Sequence, residues 1–216
     1  KKTPFLFLCG EHTYAMGIWR GVMQGLLAQR KKMALIWIDA HMDAHTFITS
    51  PSGNIHGMPV AALLGKGDKV LTDIYGKGPT LEASHLGMVG IRSFESPEQI
   101  LLEKSKAHII YMNQITKAGE LTRQLKNLQQ QLMEQADYFA FSIDIDAIDP
   151  ADAPAVGVPE ANGIAASALC DALKQFNGDE RLLGIEIAEY SPEFDQQHKT
   201  QQLISNIICA LYAKPH

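Results

Sequence analysis

Six short apolar runs alternating with helical stripes constrain the fold of this chain more than any other feature. The runs are Phe5–Leu8, Ala34–Ile38, Leu86–Ile91, His108–Tyr111, Tyr138–Ile143 and Leu182–Ala188, most of them enriched in aromatic or branched residues. They are shorter than typical helices and largely continuous in their apolar character, so they read as strands buried on both faces. Between and after them, Ile18/Val22/Leu26, Leu121/Leu125/Leu128/Leu132, Leu169/Leu173/Phe176 and Leu203/Ile207/Leu211 recur at the three- or four-residue spacing of helices that pack one face onto a sheet. Strands alternating with helices predict an α/β fold. The expected architecture is a single domain over residues 1–216 in three layers, with a mostly parallel sheet between two layers of helices.

The composition supports such a core and excludes several classes of function. With 46% hydrophobic and 20% charged residues, the chain is neither disordered, collagen-like nor a coiled coil. Its 19 Lys and Arg against 24 Asp and Glu leave a net charge of −5, and no basic cluster is longer than Arg30-Lys31-Lys32, which argues against a nucleic-acid partner. No stretch approaches about 18 consecutive apolar residues, so no membrane partner is expected. The apolar start at Pro4-Phe5-Leu6-Phe7-Leu8 is too short for a secretory signal. Cys9, Cys170 and Cys209 are odd in number and widely separated, which predicts free thiols and a cytoplasmic location.

Three segments, 46–56, 65–84 and 147–163, fit neither the strand nor the helix period and are rich in Gly, Pro, Ser, Asp or Asn. Ligands of open parallel sheets bind outside the carboxyl ends of the strands, so the first and third segments, which begin where apolar strands end, are where a site is expected.

Two of the apolar runs lead into clustered acids. Trp37-Ile38 is followed by Asp39, His41 and Asp43, and if the extended backbone continues, all three side chains point into one volume. Phe141-Ser142-Ile143 is followed by Asp144 and Asp146. Unpaired buried carboxylates are costly, and two at i, i+2 also repel each other. One Asp-x-Asp at a strand end is as readily a helix cap or turn former; two such clusters on two strands point to a metal. His12, just past another apolar run, reads alone as a surface or capping residue, and becomes a ligand candidate as part of a third strand end.

Charge counting then sets the number of ions. Asp39, Asp43, Asp144 and Asp146 total −4, so one divalent ion leaves −2, two reach neutrality, and a bridging hydroxide returns the set to −1. Two ions are favoured, in a site that attracts a cation. Oxygen-dominated coordination with one imidazole per ion suits Mn²⁺ better than Zn²⁺, copper, Mg²⁺ or Ca²⁺. Such a pair lowers the pKa of a shared water from about 15.7 toward about 7, which implies hydrolysis.

Gly10-Glu11-His12, then Asp39-Ala40-His41-Met42-Asp43, then Ser142-Ile143-Asp144-Ile145-Asp146-Ala147-Ile148-Asp149-Pro150, in this order and with these gaps, resemble the ureohydrolases, which include the arginases and agmatinases. The resemblance covers nearly the whole chain, from Gly10 to the last helix. It implies a dimanganese enzyme on a parallel α/β fold that hydrolyses a guanidino group. Position by position, it makes His12, Asp39, Asp43 and Asp144 ligands of one manganese and Asp39, His41, Asp144 and Asp146 ligands of the other, with Asp39 and Asp144 bridging. His56 matches a proton-shuttle histidine, and Glu189 matches the carboxylate that holds the guanidinium. Asp43 is placed to pass a proton to the departing amine. Ser52 and Asn54 in Ser50-Pro51-Ser52-Gly53-Asn54-Ile55-His56 resemble the arginase loop that binds a substrate α-carboxylate, which implies L-arginine, converted to L-ornithine and urea.

The chain also departs from that pattern. Cys9-Gly10-Glu11-His12 replaces the usual Gly-Gly-Asp-His, and His45 stands where arginases commonly place an Asn that contacts the substrate carboxylate. Glu95 is the candidate for the acid that binds the α-amino group. Family members carry additional chain before the Gly-x-His strand, so a sheet without those N-terminal edge strands is expected, and with it a homo-oligomer. Other readings stay open: Glu189 as a surface carboxylate, His56 as a cap of a helix starting near Met58, and Cys9, Trp37 and Met58 as packing residues, while His85 and His108 match no motif. An agmatinase or other guanidino-acid hydrolase, a two-metal phosphoesterase, and a truncated non-catalytic metal-binding homologue are the alternatives for function.

Overall fold

The computed structural model describes residues 4–74, 76, 80–117 and 119–213. Residues 75 and 77–79 of the expected loop 65–84, and the two ends of the expected 1–216 domain, lie outside the described residues.

Each of the six apolar runs is a strand, and all pair in parallel. They are β1 (Phe5–Leu8), β2 (Met33–Ile38), β3 (Leu86–Ile91), β4 (His108–Tyr111), β5 (Tyr138–Asp144) and β6 (Leu182–Ala188), in the spatial order β1-β6-β5-β2-β3-β4. The helices are α1 (Ala15–Leu27), α2 (Pro59–Leu63), α3 (Lys69–Thr72), α4 (Ser96–Ser105), α5 (Glu120–Leu132), α6 (Ala166–Lys174) and α7 (Lys199–Tyr212).

The period-two geometry of a strand divides the core into two halves. On β2, Ala34, Ile36 and Ile38 pack with Leu125 of α5, Leu173 of α6 and Ile207 of α7. Met33, Leu35 and Trp37 pack on the other face with Trp19 of α1, Leu63 of α2 and Leu102 of α4. Every β2 side chain is therefore buried, each such large apolar group contributing about 1.5–3 kcal/mol, and the run shows no polar alternation. The three layers are as expected.

Two expectations need correction. Burial on both faces fails for the two edge strands, each with a neighbour on one side only: Leu6, Phe7 and Leu8 of β1 are 38–62% exposed, and all four residues of β4 are only half-buried. Segment 96–105 carries no apolar stripe yet forms α4, with only Glu98 and Leu102 buried. This helix is started by Pro97 in its first turn and by a reciprocal capping box between Glu95 and Glu98.

The order of strands reverses between β2 and β5, since β3 lies on the far side of β2 and β6 on the far side of β5. Such a switch point opens a crevice at the carboxyl ends of its strands. Ile38 pairs with Ile143, so Asp39 and Asp144 emerge side by side there. Gly90 at the bulge of β3 allows the close approach: its φ is +95°, and a Cβ would meet the Asp39 carbonyl oxygen at 3.1 Å.

Candidate metal centre

Six His and Asp side chains converge over that crevice. His12 opens a short 3₁₀ turn after β1 and is 1% exposed. Its Nδ1 lies 3.3 Å from Asp39 Oδ2, 3.4 Å from Asp43 Oδ2 and 3.0 Å from Asp144 Oδ2. The His41 Nδ1 lies 3.5 Å from Asp39 Oδ1 and 3.0 Å from Asp146 Oδ2. Two ligand groups result, His12/Asp39/Asp144 and Asp39/His41/Asp146, and Asp39 contributes to both through different oxygens.

The local backbone differs from the simple extended picture. Asp39 follows the end of β2, but Asp43 has φ +48° and reaches the site from a left-handed turn. Asp144 is the last residue of β5, whereas Asp146 sits in a 3₁₀ turn, its N–H donating to Asp144 Oδ1 at 2.8 Å. The acids still converge, because tight turns and the strand pairing bring them together.

The environment of the centre is that of a cation site. Burial and the neighbouring carboxylates push Asp144 and Asp146 up from the usual range, and burial with Asp39 pushes Asp43 up to about 7. Burial, which opposes protonation of His41, is outweighed by hydrogen bonds to Asp146 and Asp39, and its pKa is pushed up to about 12. His12 is raised in the same way by its three carboxylates against the effect of burial. These groups compensate one another incompletely. The buried Nδ1 of His12 has no aligned hydrogen-bond partner although three carboxylate oxygens surround it within 3.4 Å. Donors and lone pairs arranged about a common centre, rather than toward each other, fit a divalent ion, so the residues present suit the expected metal.

Above this floor lies a cavity of about 320 Å³, lined by His12, His41, Asp43, Asp144, Asp146 and the loop residues expected to select a substrate. Ser52, Asn54 and His56 come from the segment after β2, and all three are at the opening. His56 sits in a 3₁₀ turn before α2, 3.8 Å from Glu11. Glu189 follows β6 with φ +66° and also lines the cavity, its Oε1 accepting from the His12 N–H at 2.7 Å. His45 and Glu95 meet at the wall: His45 Nε2 lies 2.9 Å from Glu95 Oε2 and 3.2 Å from Glu98 Oε2, and its Nδ1 is 3.1 Å from Thr49 Oγ1. All the expected site residues except Asp39 line this cavity, and Asp39 lies fully buried beneath it, against His12 and His41. His85 is buried elsewhere, beside the Gln135 carbonyl, and His108 lies in the edge strand β4.

Sequence reasoning missed several residues that hold this site. Arg92 Nη2 donates to the carbonyls of Asp146 and Glu160, and its Nε donates to Ala161, fastening loop 147–163 to the end of β3. Glu98 accepts from the Ala44 N–H, next to Asp43. Ser142 and Glu186 lie beneath His12. The last two carried a usable signal, a polar residue inside an otherwise apolar run.

Comparison with known proteins agrees with this geometry. A family model described as the Arginase family matches residues 1–213. An arginase from Bacillus caldovelox is 33% identical over 209 residues, covering 97% of this chain and 68% of the relative, and one from Bacillus subtilis is 32% identical over 214 residues, covering 99% and 70%. The solved structure of the Bacillus caldovelox arginase superposes with a TM-score of 0.91 over 97% of this chain and 69% of that one. An Entamoeba histolytica arginase solved with L-ornithine gives 0.87 at 26% identity, covering 97% and 69%.

Proposed function

The chain belongs to the arginase family of hydrolases, which act on a guanidino C–N bond, and we propose from that premise that it converts L-arginine and water into L-ornithine and urea using two Mn²⁺ ions. The observation that carries the two-ion reading is the division of Asp39, one oxygen turned to the His12 Nδ1 and the other to the His41 Nδ1. On this reading His12, Asp39, Asp43 and Asp144 hold one ion, and Asp39, His41, Asp144 and Asp146 hold the other. When bound, such a pair supplies hydroxide at neutral pH by lowering the pKa of the water it holds to about 7.

The chain's own groups do the rest. Glu189 would grip the planar guanidinium by two N–H groups and orient it in the cavity. Asp43 takes the proton of the nucleophile and gives it to the leaving nitrogen as the C–N bond breaks. His56, at the opening, exchanges protons with bulk water. Ser52 and Asn54 bind the α-carboxylate, and Glu95, steadied by His45, faces the α-amino group.

Among the described residues no Lys or Arg lines the cavity, which favours a cationic substrate over a phosphoester. No described helix is long and apolar enough to cross a membrane. Cys9, Cys170 and Cys209 are free, in support of a cytoplasmic setting, and the exposed apolar edge of β1 supports a homo-oligomer.

The test is metal content and urea release from L-arginine, agmatine and guanidinobutyrate on wild type and Asp144→Ala. Two Mn²⁺ per chain and urea from L-arginine are expected for wild type, with both lost in the variant. Urea from agmatine alone would make the chain an agmatinase, and two bound ions with no urea from any substrate would leave a non-catalytic metal-binding protein.

A further inference from the structure

Beneath the His12 imidazole lies a buried acid that the proposed chemistry does not use. Glu186 is in the interior of β6 with none of its surface exposed, paired in register with Ser142 of β5. Its Oε2 accepts from the Trp19 Nε1–H at 2.6 Å and from the Ser142 hydroxyl at 2.8 Å, while Oε1 is buried with no aligned donor, the Cys9 thiol lying beside the carboxylate. Burying a carboxylate costs several kcal/mol even after relaxation, and an apolar residue would fill a doubly buried strand position at no such cost. Its placement is informative for that reason.

Counting protons gives the carboxylate a task. The single proton of Ser142 is directed at Glu186, so toward His12 Nε2, 2.9 Å away, the Ser142 oxygen can only accept. In a neutral, ion-bound His12 this arrangement would keep the proton on Nε2 and turn the lone pair of Nδ1 toward the space shared with Asp39, Asp43 and Asp144. Trp37, stacked on the ring at 4.0 Å and 14°, fixes the plane. His41 is supported differently and does not touch Glu186: its Nε2 faces the partly exposed Glu160 at 3.5 Å, and its side chain is 24% exposed.

We propose that Glu186 is a positioning residue for one of the two ions, acting through Ser142 to present Nδ1 of His12. This rests on the two-ion reading above. It predicts an asymmetry that a packing role would not produce.

The experiment is titration calorimetry with Mn²⁺ on wild type, Glu186→Met, Glu186→Gln, Ser142→Ala and the double variants, with melting of the metal-free proteins alongside. Glu186→Met and Ser142→Ala should each weaken one ion by about 10–100-fold and leave the other within about twofold, as outer-shell partners do. Glu186→Gln keeps an acceptor oxygen but loses the charge assistance, and should weaken the same ion by about three- to tenfold. In the Ser142→Ala background neither Glu186 change should cost anything more, because the route to His12 is already cut. Should Glu186→Met not fold, the Glu186→Gln cycle with Ser142→Ala decides alone.

Equal weakening of both ions together with a lower metal-free melting temperature would reduce Glu186 to a packing residue. Wild-type affinities in the folded Glu186 variants, or losses that persist without Ser142, would overturn the proposal while leaving the two-ion reading intact. Wild type that takes up fewer than two ions would overturn both.

Discussion

The floor and the opening of the cavity are built from different materials. Asp39, Asp144 and His12 on the floor are at most 3% exposed, and each is tied from behind: Asp39 by the Trp37 Nε1–H and the His41 N–H, Asp144 by the Asp146 N–H, His12 by Ser142. At the opening Ser52 and Asn54 are exposed, the His56 side chain is 40% exposed, and the Ser52 hydroxyl is occupied only by the neighbouring Asn54 N–H. A group that must hold a cation in a fixed position gains from a rigid surround, whereas a group that recognises one end of a substrate can sit on a loop and be replaced at modest cost. On the proposed function, this division would assign reaction to the floor and choice of substrate to the opening.

Three measurements put that division at risk. The largest effect should follow Asp39→Ala, which removes the carboxylate facing both ligand groups. Urea release should fall by about a thousandfold or more, the equivalent of about 4 kcal/mol, and a variant retaining a tenth of the wild-type rate would mean that the floor is not shared. Next, Mn²⁺ at about 100 times its dissociation constant should stabilise wild type by about 2.7 kcal/mol per ion, raising the melting temperature by roughly 5–10 °C per ion. The rise should reverse with chelator and be absent in Asp39→Ala. The smallest effect should come from Asn54→Ala. Losing one hydrogen bond to a charged group should raise KM for L-arginine about tenfold, with kcat within about twofold. A fall in kcat with KM unchanged would place Asn54 in the chemistry and blur the boundary between the two regions.

The legibility of the chain follows the same division. The strands could be read because a parallel sheet covered on both faces demands unbroken apolar runs, and the floor could be read because its acids directly follow two of those runs. Asp43 and Asp146 lie beside His12 and His41, but turns rather than continued strands bring them there. Helix α4 escaped because packing does not write its pattern; Glu95, Pro97 and Glu98 at its start do, and they resemble loop chemistry as much as helix chemistry. The pairing of Ser142 with Glu186 is not legible, because a buried polar pair leaves only single interruptions in two separate apolar runs. Arg92 was hidden because its partners are backbone carbonyls from a distant loop, which no side-chain pattern announces.

Asp43 and Glu189 both hold positive φ angles, in a region where glycine and asparagine rest more easily than most residues. Anyone who replaces them will change two things at once, the carboxylate and the ease with which the chain turns. A glycine there relaxes the turn, and a valine fights it. Randomised libraries at these two positions will therefore be sorted partly by conformational comfort, and a survivor's side chain should be read as a statement about the bend before it is read as one about the reaction.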